Sequence, residues 1–189
     1  MRTLPLAALL LAAVPFAPQD PQPAATAKPP APPAARPADV ASIEAIVAAL
    51  YDVISGPAGK AREWDRMRSL FLPEAHLLAM VKARDGKGMR TLVLTVDDYV
   101  QRSGPMLEKD GFFEQQIACR IDRFGDMAHA FSTYESRHAA ADKEPFLRGI
   151  NSIQLVHQQD RWWIAQVLWE QETDAGPIPA QYLPAAAAK

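Results

Sequence analysis

Between residues 133 and 171, side chains capable of chemistry recur inside segments that alternate like buried strands. They are Thr133, Tyr134, Glu135, Ser136 and Arg137, then Arg148, Asn151, Ser152 and Gln154, then Trp169, Glu170 and Gln171. A shielded carboxylate such as Glu135 or Glu170 can take or give a proton, a tyrosine hydroxyl such as Tyr134 can do the same, and Arg148 can steady an anion. Neighbouring strands of a meander would set the three stretches side by side. Alternation separates Tyr134 and Ser136 from Glu135 and Arg137, and Trp169 and Gln171 from Glu170, so one set would face an interior and the other outward. Two readings stay open. Tyr134, Glu135, Arg148, Asn151, Trp169 and Glu170 line a ligand pocket, or the polar groups form a solvated face or dimer interface with ion pairs such as Glu135 with Arg148. Trp162, Trp163 and Trp169 read first as core or interface packing.

Other chemistry has little sequence behind it. His76, His129, His138 and His157 are widely spaced without an H-E-x-x-H pattern, so neither a metal nor a cofactor is expected. Gly86-Lys87-Gly88 lacks the third glycine and following helix of a phosphate cradle, and reads as a hairpin turn. No serine sits in G-x-S-x-G. Cys119 is the sole cysteine, which excludes an internal disulfide; between Ile117 and Ile121 it reads as a small buried apolar residue. With Lys+Arg 20 against Asp+Glu 22, no net field draws the chain to a polyanion, and nucleic acid is not an expected partner. The richest basic stretch, Lys60, Arg62, Arg66 and Arg68, is interleaved with Glu63 and Asp65 and reads as a solvated helix face.

The elements that must position these residues are readable from periodicity. Arg2 and an apolar run over residues 4–16, too short to span a bilayer, read as a secretory signal peptide over 1–17. Cleavage leaves no stable membrane insertion and predicts a periplasmic or secreted protein. Residues 18–38 are a Pro/Ala-rich linker, residues 39–173 a folded domain, and residues 174–189 a flexible tail in which Ile178, Tyr182 and Leu183 offer docking points. Inside the domain, Val40, Ile43, Ile46, Val47, Leu50, Tyr51 and Ile54 make one helix face, with Asp39 as N-cap and Gly56 as C-cap. A second helix is predicted over 61–71, ending before Pro73, and a hairpin over 76–94 follows. Thr95 and Asp98 form a capping box that opens a third helix, interrupted at Gly104 and Pro105. Four long strands are predicted over 112–124, 127–137, 146–158 and 161–172. Helices first and a long antiparallel meander after give an α+β fold.

That order, with Leu70-Phe71-Leu72-Pro73-Glu74-Ala75 closing the second helix, resembles the nuclear transport factor 2-like superfamily, which includes SnoaL-like and ketosteroid isomerase-like proteins. Gly149, Leu155 and Arg161-Trp162-Trp163-Ile164 are similar to the glycine, apolar residue and Trp-x-Ile pattern of its final hairpin. The resemblance covers about residues 39–172. It implies three N-terminal helices packed on a strongly curved, mainly antiparallel sheet, a cone whose interior binds a small molecule or is filled by side chains, and a homodimer through the outer sheet face. The tyrosine and aspartate of ketosteroid isomerases fall at Ile46 and Ala79, which do no proton chemistry. Arg120-Ile121-Asp122 is similar to the Arg-x-Asp pair of limonene epoxide hydrolases, but reads as a surface ion pair. The expected function is therefore an exported module that binds a small apolar ligand or dimerises. The alternative is a cofactor-independent lyase, isomerase or hydrolase acting in the cone, which requires a shielded carboxylate there.

Overall fold

The computed structural model describes residues 30–173 and 176–184. The signal segment 1–17, the linker up to residue 29 and the alanine-rich end 185–189 lie outside the described residues. Helices α1 (Pro37–Val40), α2 (Ile43–Ile54), α3 (Trp64–Leu70) and α4 (Val96–Asp110) pack on six strands. These are β1 (Phe71–Lys82), β2 (Met89–Thr95), β3 (Phe113–Phe124), β4 (Met127–Arg137), β5 (Leu147–Gln158) and β6 (Arg161–Gln171). Their order is β2-β1-β6-β5-β4-β3, antiparallel throughout except where β1 runs parallel to β6. Register shifts fall at Gln116/Ala118, at Gln154/Leu155 and between Phe71 and His76. Such irregularities bend a strand and sharpen its twist, and here they curl the sheet around α2. This is the expected α+β cone.

The periodic face of α2 enters the concavity as its spacing requires. Ile46, Val47, Leu50 and Tyr51 are buried against Ala130, Ile153, Leu155 and Ile164 of the sheet. Each large aliphatic side chain removed from water contributes about 1.5–3 kcal/mol, so this helix anchors the domain. Small residues on β4, Ala128 and Ala130, give it room.

Several local expectations are corrected. The opening helix is split: α1 is a single turn, and Ser42 rather than Asp39 caps α2, its Oγ accepting from the Ala45 N–H at 3.1 Å. Asp39 is held instead by Arg66 Nε and Nη2, at 2.7 and 3.0 Å. Ser55, not Gly56, ends α2, because Gly56 pairs with Phe112 in an isolated bridge. The second helix begins late and stops at Leu70, and Pro73 lies inside β1 where the ladder to β6 is interrupted and no backbone donor is required. The third helix opens on the expected capping box but runs through Gly104 and Pro105 to Asp110. A β-carbon at Gly104 would stand 3.2 Å from the Trp64 ring, so the glycine lets α4 settle on α3, and that packing outweighs the missing proline donor.

The basic stretch is no solvated face throughout. Arg62 is buried and gives its guanidinium hydrogens to the carbonyls of Ile54, Gly56, Pro57, Lys60 and Leu107. Five acceptors match the five donors of the group, and they tie the α2–α3 connection to α4. At the other end of the domain, residues 176–184, expected within a flexible tail, lie on the outer sheet face. Ile178 is buried there, the Tyr182 carbonyl accepts from Thr133 Oγ1 at 2.6 Å, and the Tyr182 ring meets Phe131 edge-on at 4.9 Å.

Candidate functional site

The register decides which polar groups meet. Ser136 lies opposite Glu114, Ser132 opposite Asn151, Asn151 opposite Trp169, and Tyr134 opposite Gly149, all on the concave side. Of these, Glu114, Tyr134, Asn151 and Trp169 border a cavity of about 300 Å³ whose wall is otherwise mostly apolar, with Leu50, Ile54, Met67, Leu77, Leu107 and Val167. That is the small end of the roughly 300–1,000 Å³ typical of small-molecule sites. Tyr99 reaches in from α4 and meets Trp169 edge-on, with centroids 6.3 Å apart. Around the opening stand Met106, Asp110 and His138, the last stacked on Phe146 at 4.0 Å.

Of the six pocket candidates, Tyr134, Asn151 and Trp169 line the cavity. Glu135, Arg148 and Glu170 do not, because strand alternation turns them to the outer face. Glu135 and Arg148 are direct neighbours in register, yet the ion pairs formed are Arg137 with Glu135 at 2.7 Å and Arg148 with Glu172 at 2.8 Å. The Arg148 fork is bidentate, and Glu172 also accepts from the Ile178 N–H at 2.9 Å, which ties the C-terminal segment to the sheet. These partners hold the Glu135 and Glu172 carboxyls below the usual carboxylate range. Glu170 is exposed beside the same C-terminal segment. Arg120 and Asp122 form the exposed pair expected of them, at 3.4 Å.

The carboxylate that does enter the cone is Glu114, which the sequence reading left inside a strand without singling it out. It accepts from Ser136 Oγ at 3.0 Å and from Asn151 Nδ2 at 3.3 Å. As a residue it keeps some surface contact, because β3 is an edge strand and Glu114 also borders a groove beside α2. Its carboxyl is nonetheless stripped of water, and this desolvation pushes it up to about 7 against the lowering pull of its Ser136 and Asn151 hydrogen bonds. No cation among the described residues neutralises it.

A chain of neutral hydrogen bonds fixes the same corner. Asn151 Nδ2 donates to Tyr51 Oη at 3.2 Å, Tyr51 and Ser132 hydroxyls meet at 2.7 Å, and Ser132 Oγ donates to Gln116 Oε1 at 3.0 Å. Burial raises the Tyr51, Tyr99 and Tyr134 hydroxyls well above the ordinary tyrosine range, so they stay protonated. Tyr134 is buried as a residue, and unlike Tyr51 its hydroxyl makes no hydrogen bond among the described residues; since no fully buried side-chain oxygen there lacks a partner, this one keeps a trace of accessible surface. A β-carbon at Gly149 would stand 2.5 Å from that oxygen, so glycine is what lets the ring lie flat on β5. The arrangement can hold an apolar body, present hydroxyls to it and offer one carboxyl able to gain or lose a proton near neutrality.

No protein-family profile and no curated protein sequence matches this chain. Solved structures do. A protein of unknown function with a cystatin-like fold from Nostoc punctiforme PCC 73102 superposes with a TM-score of 0.52 at 12 % identity, covering 70 % of this chain and 90 % of that one. A nuclear transport factor 2-like protein of unknown function from Pseudomonas putida KT2440 gives 0.52 at 10 %, covering 78 % and 93 %. The hexachlorocyclohexane dehydrochlorinase LinA-type3 of Novosphingobium barchaimii LL02 gives 0.50 at 8 %, covering 70 % and 86 %. The chain therefore has the nuclear transport factor 2-like fold. At these identities the likeness is one of fold.

Proposed function

We propose that the domain is a small-molecule-binding module whose ligand, largely apolar, occupies the cone with its one polar end at Glu114. The carrying observation is a pre-formed apolar cavity in which a carboxyl with only neutral donors and an unpartnered Tyr134 hydroxyl converge. A cone built only as a packing core would be filled by aliphatic side chains and would keep its carboxylates outside, ion-paired, as Glu135 and Glu172 are. Export belongs to the same proposal, supported by the apolar run over residues 4–16. So does pairing of two copies, with the outer face carrying the Arg148 and Arg137 ion pairs as the surface that would meet.

One observation favours a second reading, the lyase, isomerase or hydrolase alternative. A carboxyl at about 7 is matched to general acid and base work at neutral pH, and Glu114 supplies it where Glu135 and Glu170 do not. A dehydrochlorinase among the proteins of the same fold is in keeping with it. Native mass spectrometry of protein purified without denaturation, followed by a ligand-observed NMR screen of uncharged and charged aromatic fragments, tests the shared premise. Retained mass or fragments displaced by Trp169→Ala support a cone ligand. A protein that is empty and binds no fragment in a Trp169-dependent way refutes both readings.

A further inference from the structure

Charge and aromatic surface inside the cone are distributed unevenly. Of the residues that border it, Glu114 and the rim residue Asp110 are acidic, His138 at the rim is the basic group, and no lysine or arginine takes part. Arg148 is engaged with Glu172, and Arg137, which borders the α2 groove beside Glu114 but not the cone, is engaged with Glu135. A carboxylic or phosphate ligand would thus enter a cavity of its own sign with nothing to neutralise it. The cavity that Glu114 borders is also lined by electron-rich rings: Tyr99 and Trp169 at right angles, and Tyr134, whose hydroxyl makes no hydrogen bond among the described residues. Aromatic faces that surround a carboxyl attract a cation by both ring quadrupole and charge, and they discriminate against an uncharged body of the same shape less strongly than against an anion.

We propose that the cone takes a hydrophobic organic cation, an apolar body bearing an ammonium-type centre, with Glu114 as its counter-charge and Tyr99, Tyr134 and Trp169 as its walls. This rests on the ligand-binding reading and names the chemical class of the ligand. The cation supplies the partner that Glu114 lacks among the described residues, and any N–H it carries can be given to the Tyr134 oxygen. The stacked His138–Phe146 pair and Met106 at the rim pass the apolar end, while Asp110 beside them favours positive charge at entry.

The test compares two probes of one shape on the wild-type chain, phenyltrimethylammonium and its uncharged isostere tert-butylbenzene, titrated by calorimetry at pH 8 and pH 5. The proposal expects the cation to bind at least about tenfold more tightly at pH 8, and to lose most of that advantage at pH 5, where about 1 % of Glu114 is ionised. The other charged groups near Glu114 are Asp110 and His138 at the rim, Arg137 on β4, and Glu44 and Asp52 of α2 along the neighbouring groove. His138→Gln must keep the pH effect, and Glu114→Gln must abolish it while still binding tert-butylbenzene. Equal binding of the two probes at pH 8, or tighter binding of the neutral one, overturns the cationic ligand and leaves the pocket standing. Failure of both probes to bind overturns the pocket reading with it.

Discussion

Replacing Glu114 by glutamine should stabilise the protein at alkaline pH and do little at acid pH. A carboxyl pushed up from 4.5 to about 7 by folding is paired with an unfolded chain that ionises earlier, so its contribution is fully present below about 4.5 and is lost as pH rises through 7. At pH 5 the unfolded state has released part of its proton and the penalty is about 1 kcal/mol; at pH 8 it is complete at about 3 kcal/mol. Glutamine keeps the shape and can still accept from Asn151 and share a hydrogen bond with the Ser136 hydroxyl, but does not ionise. The gain of the variant over the wild type should then be larger at pH 8 than at pH 5 by about 2 kcal/mol, reduced by whatever water reaches Glu114 from the α2 groove. Urea unfolding followed by tryptophan fluorescence at the two pH values measures it. Every other titrating group cancels in the comparison. Parallel stability profiles, within about 0.5 kcal/mol across the range, would show that Glu114 ionises freely in the folded state, and the site argument would fall with it.

Arg62→Met leaves five carbonyls without their donor and should cost about 3 kcal/mol or more in chemical denaturation, with the α2–α3 connection exchanging its amides first. Gly149→Ala drives a methyl into the Tyr134 hydroxyl and the Glu170 carbonyl and should cost about 1–3 kcal/mol, read as a fall in the thermal midpoint. Tyr134→Phe removes an oxygen that has no protein partner, so stability should change by less than about 0.5 kcal/mol while affinity for a cone ligand falls. Asp39 is held below the usual carboxylate range by Arg66, so its contribution is present above 3.8 and disappears as pH falls through the lowered value. Asp39→Asn should flatten that acid limb in acid-unfolding curves.

The fold was legible where periodicity reports burial directly. All four long strands were expected within two residues of their observed ends, and the α2 face was named residue by residue, because each must satisfy one continuous core. What failed was decided by contacts between distant segments. Nothing local to Gly104-Pro105 reveals that Trp64 fills the space over the glycine, and the acids beside Arg62 do not announce that its guanidinium serves five carbonyls instead, four within residues 54–60 and one from Leu107 of α4. A proline in a helix and an arginine beside acids carry the opposite local meaning, and tertiary packing overrode both.

The site divides along the same line. Alternation separated Tyr134 from Glu135 and Trp169 from Glu170, as the register bears out, but it could not say which parity faces inward. That choice is fixed by the alanines of β4, which make room for α2 only on the parity of Tyr134 and Ser136. Glu114 escaped notice because β3 shifts register between Gln116 and Ala118, so the Ile117, Cys119 and Ile121 pattern beyond the shift does not give the phase before it. The fixed point was Ser136, already placed on the inner parity: a strand paired antiparallel to it must bring one residue opposite, and that residue is the carboxylate. A polar strand residue near a bulge should accordingly be assigned its face from its cross-strand partner, and in this cone that rule moves the sheet carboxylate that lines the cavity from β4 and β6 to the edge strand.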